Sequence, residues 1–199
     1  MIEVQGLTKR YDGRTAVAGL SFSVPRGQVV GFLGPGGAGK STTMRILAGC
    51  LGATSGEVSV AGWDVFERSR EARRRIGYLP EAVPLYDEMR VGSYLQTMCR
   101  LRGVAPGPRR ALVDRALEAC GLGDRRSEVI GRLSRELRQR VGLAQAIVHE
   151  PDVLLLDEPA AGLEPAQARE VRGLVAGLSR EFTVVLSSHV VSEVSATCD

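Results

Sequence analysis

"GFLGPGGAGKST", residues 31–42, decides how the rest of the chain is read. It holds the pattern G-x-x-x-x-G-K-S from Gly34 to Ser41. Glycines at this spacing let successive backbone N–H groups turn inward around phosphate oxygens, and a helix opening near Lys40 adds its positive end. Gly34, Pro35, Gly36, Gly37, Ala38 and Gly39 then form a phosphate cradle, and Lys40 is expected to reach the β- and γ-phosphates. Ser41 offers a hydroxyl to Mg²⁺, and Thr42 contacts phosphate nearby. The plain alternative is a glycine-rich turn with an incidental lysine. Context argues against it. "QVVGFLG" (28–34) is an apolar run suited to a strand buried on both faces, and "STTMRILAGCL" (41–51) has helical spacing at Met44, Leu47 and Leu51.

Outward from this loop, "IEVQGL" (2–7), "AVAGLSFSV" (16–24) and "SGEVSVAGWDV" (55–65) read as strands with their turns. The texture changes near residue 84, where "SYLQTMCRLRG" and "RRALVDRALEACGLG" are amphipathic helices broken by "GVAPGPR". This Arg-rich helical insert is expected over about 84–135. "PDVLLLDEP" (151–159) and "FTVVLSSH" (182–189) return to buried strands. Strands alternating with helices imply an α/β fold with a mainly parallel sheet.

The apolar run "VLLLDEP" ends in two carboxylates. Asp157 at the C-terminal end of a strand is well placed for Mg²⁺, because ligands of open parallel sheets sit at that edge. Glu158 could polarise an attacking water. Alone, Asp-Glu-Pro after a strand is a common loop start. Combined with the phosphate loop it describes a site for hydrolysing nucleoside triphosphates.

Composition bounds the remaining possibilities. A chain of 199 residues, 44% hydrophobic and 25% charged, suits one globular domain. Its net charge of +3 is too small to argue for nucleic acid. Lys9 and Lys40 are the only lysines among 26 basic residues, which makes the position of Lys40 more conspicuous. Cys50, Cys99, Cys120 and Cys198 are widely spaced and suggest neither a metal site nor a disulfide framework, so a reducing compartment is expected. No segment approaches the roughly 18 uninterrupted apolar residues of a membrane span. Any membrane role requires another chain.

The strings "GPGGAGKST", "IGYLPEAVPLYDEMRV", "LSRELRQRVGLAQAIVHEPDVLLLDEPAAGLEP" and "VVLSSHVVSEV", in this order, resemble the nucleotide-binding subunit of an ABC transporter. The likeness covers essentially residues 1–199 as one domain and is greatest to ATPases of ABC-2-type exporters. It implies a P-loop NTPase fold: a mainly parallel central sheet, an N-terminal antiparallel β subdomain and the inserted α-helical subdomain. It also implies ATP and Mg²⁺ as ligands, a head-to-tail homodimer, a separate transmembrane permease and a cytoplasmic position on the inner face of the cell membrane. By the same resemblance Tyr11, in "KRYDGRTAV", stacks on adenine. Glu81 falls where most of the family has a metal-reaching Gln, Pro84 to Val91 faces the permease, and His189 contacts the γ-phosphate. Lys40, Glu158 and His189 are the implied catalytic set, and Ser41, Glu81 and Asp157 the implied metal ligands.

Three departures from the family pattern matter. The signature is expected to carry Gly two residues after Ser134, facing the ATP of the other subunit, but Glu136 stands there beside Arg135. A carboxylate about 4 Å from a phosphate charge costs on the order of 4 kcal/mol per charge pair at surface-like dielectric. Ser134 still offers a hydroxyl and a helix N-terminus to an anion. Glu164 replaces the usual Asp in "AAGLEP", and the sequence stops at "SATCD", where the family continues into further strands. Two functions fit this combination: an ATPase driving export, or an ATP-binding subunit whose hydrolysis Glu136 impairs. A soluble non-transport ABC protein is a third, disfavoured by the modest charge.

Overall fold

A computed structural model describes residues 1–190. The element order begins with β1 (Ile2–Tyr11), β2 (Arg14–Val24), β3 (Val29–Leu33) and α1 (Lys40–Leu47). β4 (Ser55–Val60), β5 (Trp63–Asp64), α2 (Ser69–Arg74) and β6 (Ile76–Leu79) follow. The insert supplies α3 (Val91–Leu101) and α4 (Arg109–Ala119), and the chain continues through α5 (Arg135–Ile147), β7 (Val153–Asp157), α6 (Pro165–Leu178) and β8 (Thr183–Ser188). The expected end of the family pattern at "SATCD", with Cys198, lies outside the described residues.

Two sheets divide the strands. An antiparallel sheet runs β2-β1-β4-β5, and a wholly parallel sheet runs β3-β8-β7-β6. All residues of β7 and β8 are buried, and each has a continuous apolar centre, Val153–Leu156 and Val184–Leu186, with its polar residues at the strand ends. Alternate residues of each serve opposite cores. Leu154, Leu156, Val184 and Leu186 pack with α5 and α6, whereas Val153, Leu155 and Val185 pack with Met44 and Leu47 of α1 and with Val4 and Val58 of the antiparallel sheet. Complete burial of each large apolar side chain contributes roughly 1.5–3 kcal/mol, and this double packing fixes where the strand ends emerge.

Three differences from the sequence expectations have physical causes. β3 is not buried on both faces: Leu33 is 48% exposed, because β3 forms the edge of the described parallel sheet. α1 ends at Leu47, before the anticipated Leu51, as the backbone turns at Ala48 and Gly49. α2 and β6 carried no clear periodic signal. β6 has only four residues and follows an Arg-rich helix, yet it pairs in register with β7 from Ile76–Val153 to Leu79–Leu156.

Candidate nucleotide site

The site grows from the sheet order. β8 lies between β3 and β7 and runs parallel to both, so the phosphate-loop sequence, the acidic pair and His189 all follow the C-terminal ends of three adjacent strands. Open parallel sheets place their ligand crevice at this edge. Tyr11, Arg14, Gly36 to Thr42, Glu81, Glu158, Ala161 and His189 line a cleft of about 540 Å³ there.

The loop itself is set by close packing. Gly39 caps α1 at φ 87°, and a Cβ there would stand 2.4 Å from the Ala16 carbonyl oxygen of β2. Only glycine fits, and the antiparallel sheet presses the loop into place. The first amides of α1 have no partner within the helix, and no acidic residue occupies its first turn, so this end presents donors and positive potential. Lys40 folds back: Nζ donates to the carbonyls of Gly34 at 2.7 Å and Pro35 at 3.2 Å, and lies 3.5 Å from Glu158 Oε1.

Across the cleft, Asp157 is buried and accepts from Ser41 Oγ at 3.1 Å and Ser187 Oγ at 2.6 Å. Ser187 also accepts from the Glu158 backbone N–H at 3.0 Å. Its hydroxyl therefore holds both acidic residues in register with β8. Glu158 adopts a left-handed φ of 48°, a costly conformation for a side chain with Cβ, and its carboxylate Oε2 accepts from His189 Nδ1 at 2.9 Å. The donor set fits a hard cation: a hydroxyl and a carboxylate side by side, with Glu81 on the same cleft. Among the described residues no group of three or more His, Cys, Asp or Glu forms a cage, so phosphate oxygens would complete any Mg²⁺ sphere.

Tyr11 sits at the cleft mouth, 42% exposed, with Lys9 Nζ 5.0 Å from its ring centroid. The signature-like segment lies apart from the cleft on α5. Ser134 caps that helix by accepting from the Leu137 N–H at 3.3 Å. Successive residues then point three ways. Arg135 Nη2 donates to the Ala161 carbonyl at 3.4 Å and Gln139 Nε2 to the Pro159 carbonyl at 2.9 Å, both in the loop after the acidic pair. Arg138 pairs with Asp87 at 2.7 Å. Glu136 pairs with Arg140, which also binds Glu170 of α6. Glu164, the other departure, is the N-cap residue of α6, where its N–H donates to Gln167 at 3.3 Å.

Sequence reasoning missed Ser187, Arg14 and the α5 contacts of Gln139 and Arg140. A pair of serines closing an otherwise apolar strand, "VVLSSH", is the signal that could have pointed to Ser187.

Residues 17–161 match the ABC transporter family. The chain belongs to that family. The bacitracin transport ATP-binding protein of Bacillus licheniformis is 35% identical to this ABC cassette over 201 residues, covering 100% of it and 65% of the relative. The Nod factor export ATP-binding protein I of Burkholderia pseudomallei is 39% identical, covering 99% of the cassette and 65% of the relative. The chain thus spans about 65% of the length of these curated relatives. Among solved structures, CbiO1 from Clostridium perfringens, part of the transporter complex CbiONQ, superposes with a TM-score of 0.87 at 28% identity, covering 100% of this chain and 82% of that one. The fold is that of a P-loop NTPase with the antiparallel and helical additions of an ABC cassette.

Proposed function

We propose that this ABC cassette is the ATP-hydrolysing subunit of an exporter, acting as a head-to-tail pair of copies beneath a separate membrane-spanning permease. The observation that carries this is the meeting of Lys40, Asp157, Glu158 and His189 at one edge of three adjacent parallel strands. Tyr11 receives the adenine, and residues 34–42 the phosphates. Ser41, Asp157 and Glu81 would hold Mg²⁺, which would supply positive charge against the phosphates. Glu158, oriented by His189, positions the water for in-line attack on the γ-phosphorus, while Lys40 stabilises charge on the transferred group. Ser134 and the N-terminus of α5 face the nucleotide held by the second copy.

The relatives' roles in bacitracin transport and Nod factor export support export as the direction of work. The Pro84–Val91 segment suits contact with the permease, as Tyr86 is 54% exposed and rests edge-on against buried Tyr94. Among the described residues no helix is long and apolar enough to cross a membrane, and this reading assigns the spans to the permease. The cassette then lies on the cytoplasmic face of the cell membrane, with no nucleic-acid partner.

The test is steady-state ATP hydrolysis by the wild type, Lys40→Ala and Glu158→Gln. The wild type turns over; Glu158→Gln loses turnover while still binding ATP, and Lys40→Ala loses binding. Unchanged turnover in Glu158→Gln overturns the role given to Glu158. A silent wild type that Glu136→Gly awakens would instead support an ATP-binding subunit with impaired hydrolysis.

A further inference from the structure

The carboxylate of Glu136 stands where a glycine is expected to face phosphate, yet it is not loose at the helix end. Its Oε1 pairs with Arg140 Nη2 one turn along α5, and the same guanidinium binds Oε2 of Glu170 on α6. The side chains of Glu136 and Arg140 are 15% and 13% exposed, so both are largely withdrawn from water, where an ion pair is screened less than at the surface. The residues just before each, Arg135 and Gln139, turn to the loop after the acidic pair, which separates that face of α5 from the Glu136–Arg140 face.

We infer that Arg140 is a positioning residue for the nucleotide site. It draws the Glu136 carboxylate back along α5 and against α6, leaving the Ser134 hydroxyl and the first amides of the helix to meet the phosphate of the second copy's ATP. Arg140 compensates for the missing glycine without touching nucleotide. Glu170 shares the guanidinium, so one Arg140 side chain holds both carboxylates, Glu136 on its own helix and Glu170 on α6. Removing Arg140 frees a negative charge beside the place assigned to a negative ligand, which opposes closure of two copies around ATP. This inference rests on the proposed function above for the identity of the ligand, and on the ion pairs for the role of Arg140.

The experiment is a double-substitution series: wild type, Arg140→Gln, Glu136→Gly and Glu136→Gly with Arg140→Gln. Two readouts are taken, ATP turnover and ATP-dependent dimerisation, the latter in a Glu158→Gln background, with thermal unfolding checking that each variant is folded. Arg140→Gln is expected to lower turnover at least tenfold and to weaken dimerisation comparably, with ATP binding to the single copy unchanged. Adding Glu136→Gly restores both to the level of Glu136→Gly alone. A purely structural arginine would give a loss that Glu136→Gly does not repair, and that outcome overturns the inference, as does a folded Arg140→Gln with wild-type turnover and dimerisation. If the wild type shows no turnover, the proposed function fails, and the dimerisation arm still decides the role of Arg140.

Discussion

His189 Nδ1 lies 2.9 Å from Glu158 Oε2, across the gap between the ends of β8 and β7. The histidine carries a hydrogen bond to a carboxylate that already occupies a strained backbone position. It limits which way Glu158 faces. Replacing His189 with Ala should cut turnover by about 10²- to 10⁴-fold, the range for a misaligned general base. ATP affinity, measured with a fluorescent analogue, should change less than tenfold. A variant with normal turnover would show that Glu158 needs no such partner.

Ser187→Ala removes the hydroxyl that donates to Asp157 and accepts from the Glu158 amide. Both partners are buried, so the folded state loses about 1–3 kcal/mol, read by urea unfolding. Asp157 also loses its orientation, and the Mg²⁺ concentration giving half-maximal turnover should rise. Stability and Mg²⁺ dependence equal to wild type would count against the clamp.

Gly39→Ala meets the Ala16 carbonyl and a left-handed φ together. ATP binding should be lost, and stability reduced by about 1–3 kcal/mol. Gly36→Ala is the control. A Cβ there would meet nothing within 4 Å and the φ of Gly36 is not among the positive ones, so this variant should fold as the wild type does.

His149 supplies a pH test away from the cleft. Its Nε2 hydrogen-bonds the Ile76 carbonyl at 3.1 Å, its Nδ1 is buried without a partner, and burial with Arg102 nearby pulls its pKa down from 6.5 to about 4. A folded-state value below the unfolded one means the unfolded chain binds the proton first. Stability from this group is whole above pH 6.5 and falls as pH drops towards 4. Between pH 7.5 and 4.5 the wild type should lose about 2–3 kcal/mol more than His149→Asn. Equal losses in urea titrations of the two proteins would rule the assignment out.

Much of this architecture was legible because it is written in local chemistry. The phosphate loop needs glycine, lysine and serine at fixed offsets, and the buried strands β7 and β8 have continuous apolar centres. β6 was hidden because four residues show no period. The place of β3 at the edge of the sheet among the described residues was hidden because strand order is a long-range property, and "QVVGFLG" alone resembles a central strand. At α5 the sequence showed that Glu136 is out of place but not which of the neighbouring arginines meets it. The helix sends Arg135 to Ala161 and Arg138 to Asp87, and leaves Arg140, one turn on, beside Glu136.

Arg138 and Gln139 are neighbours in sequence, yet one grips Asp87 in the surface segment after Glu81 and the other grips Pro159, two residues beyond Asp157. Side chains adjacent on a helix diverge by about 100° while rising only 1.5 Å. α5 is thereby a crank with two short arms. Asp87 and Pro159, far apart in sequence, are thus tied to each other through one helical turn rather than through a chain of loop contacts. The outer surface segment and the loop behind the acidic pair therefore share one mounting, two adjacent residues of a single helix.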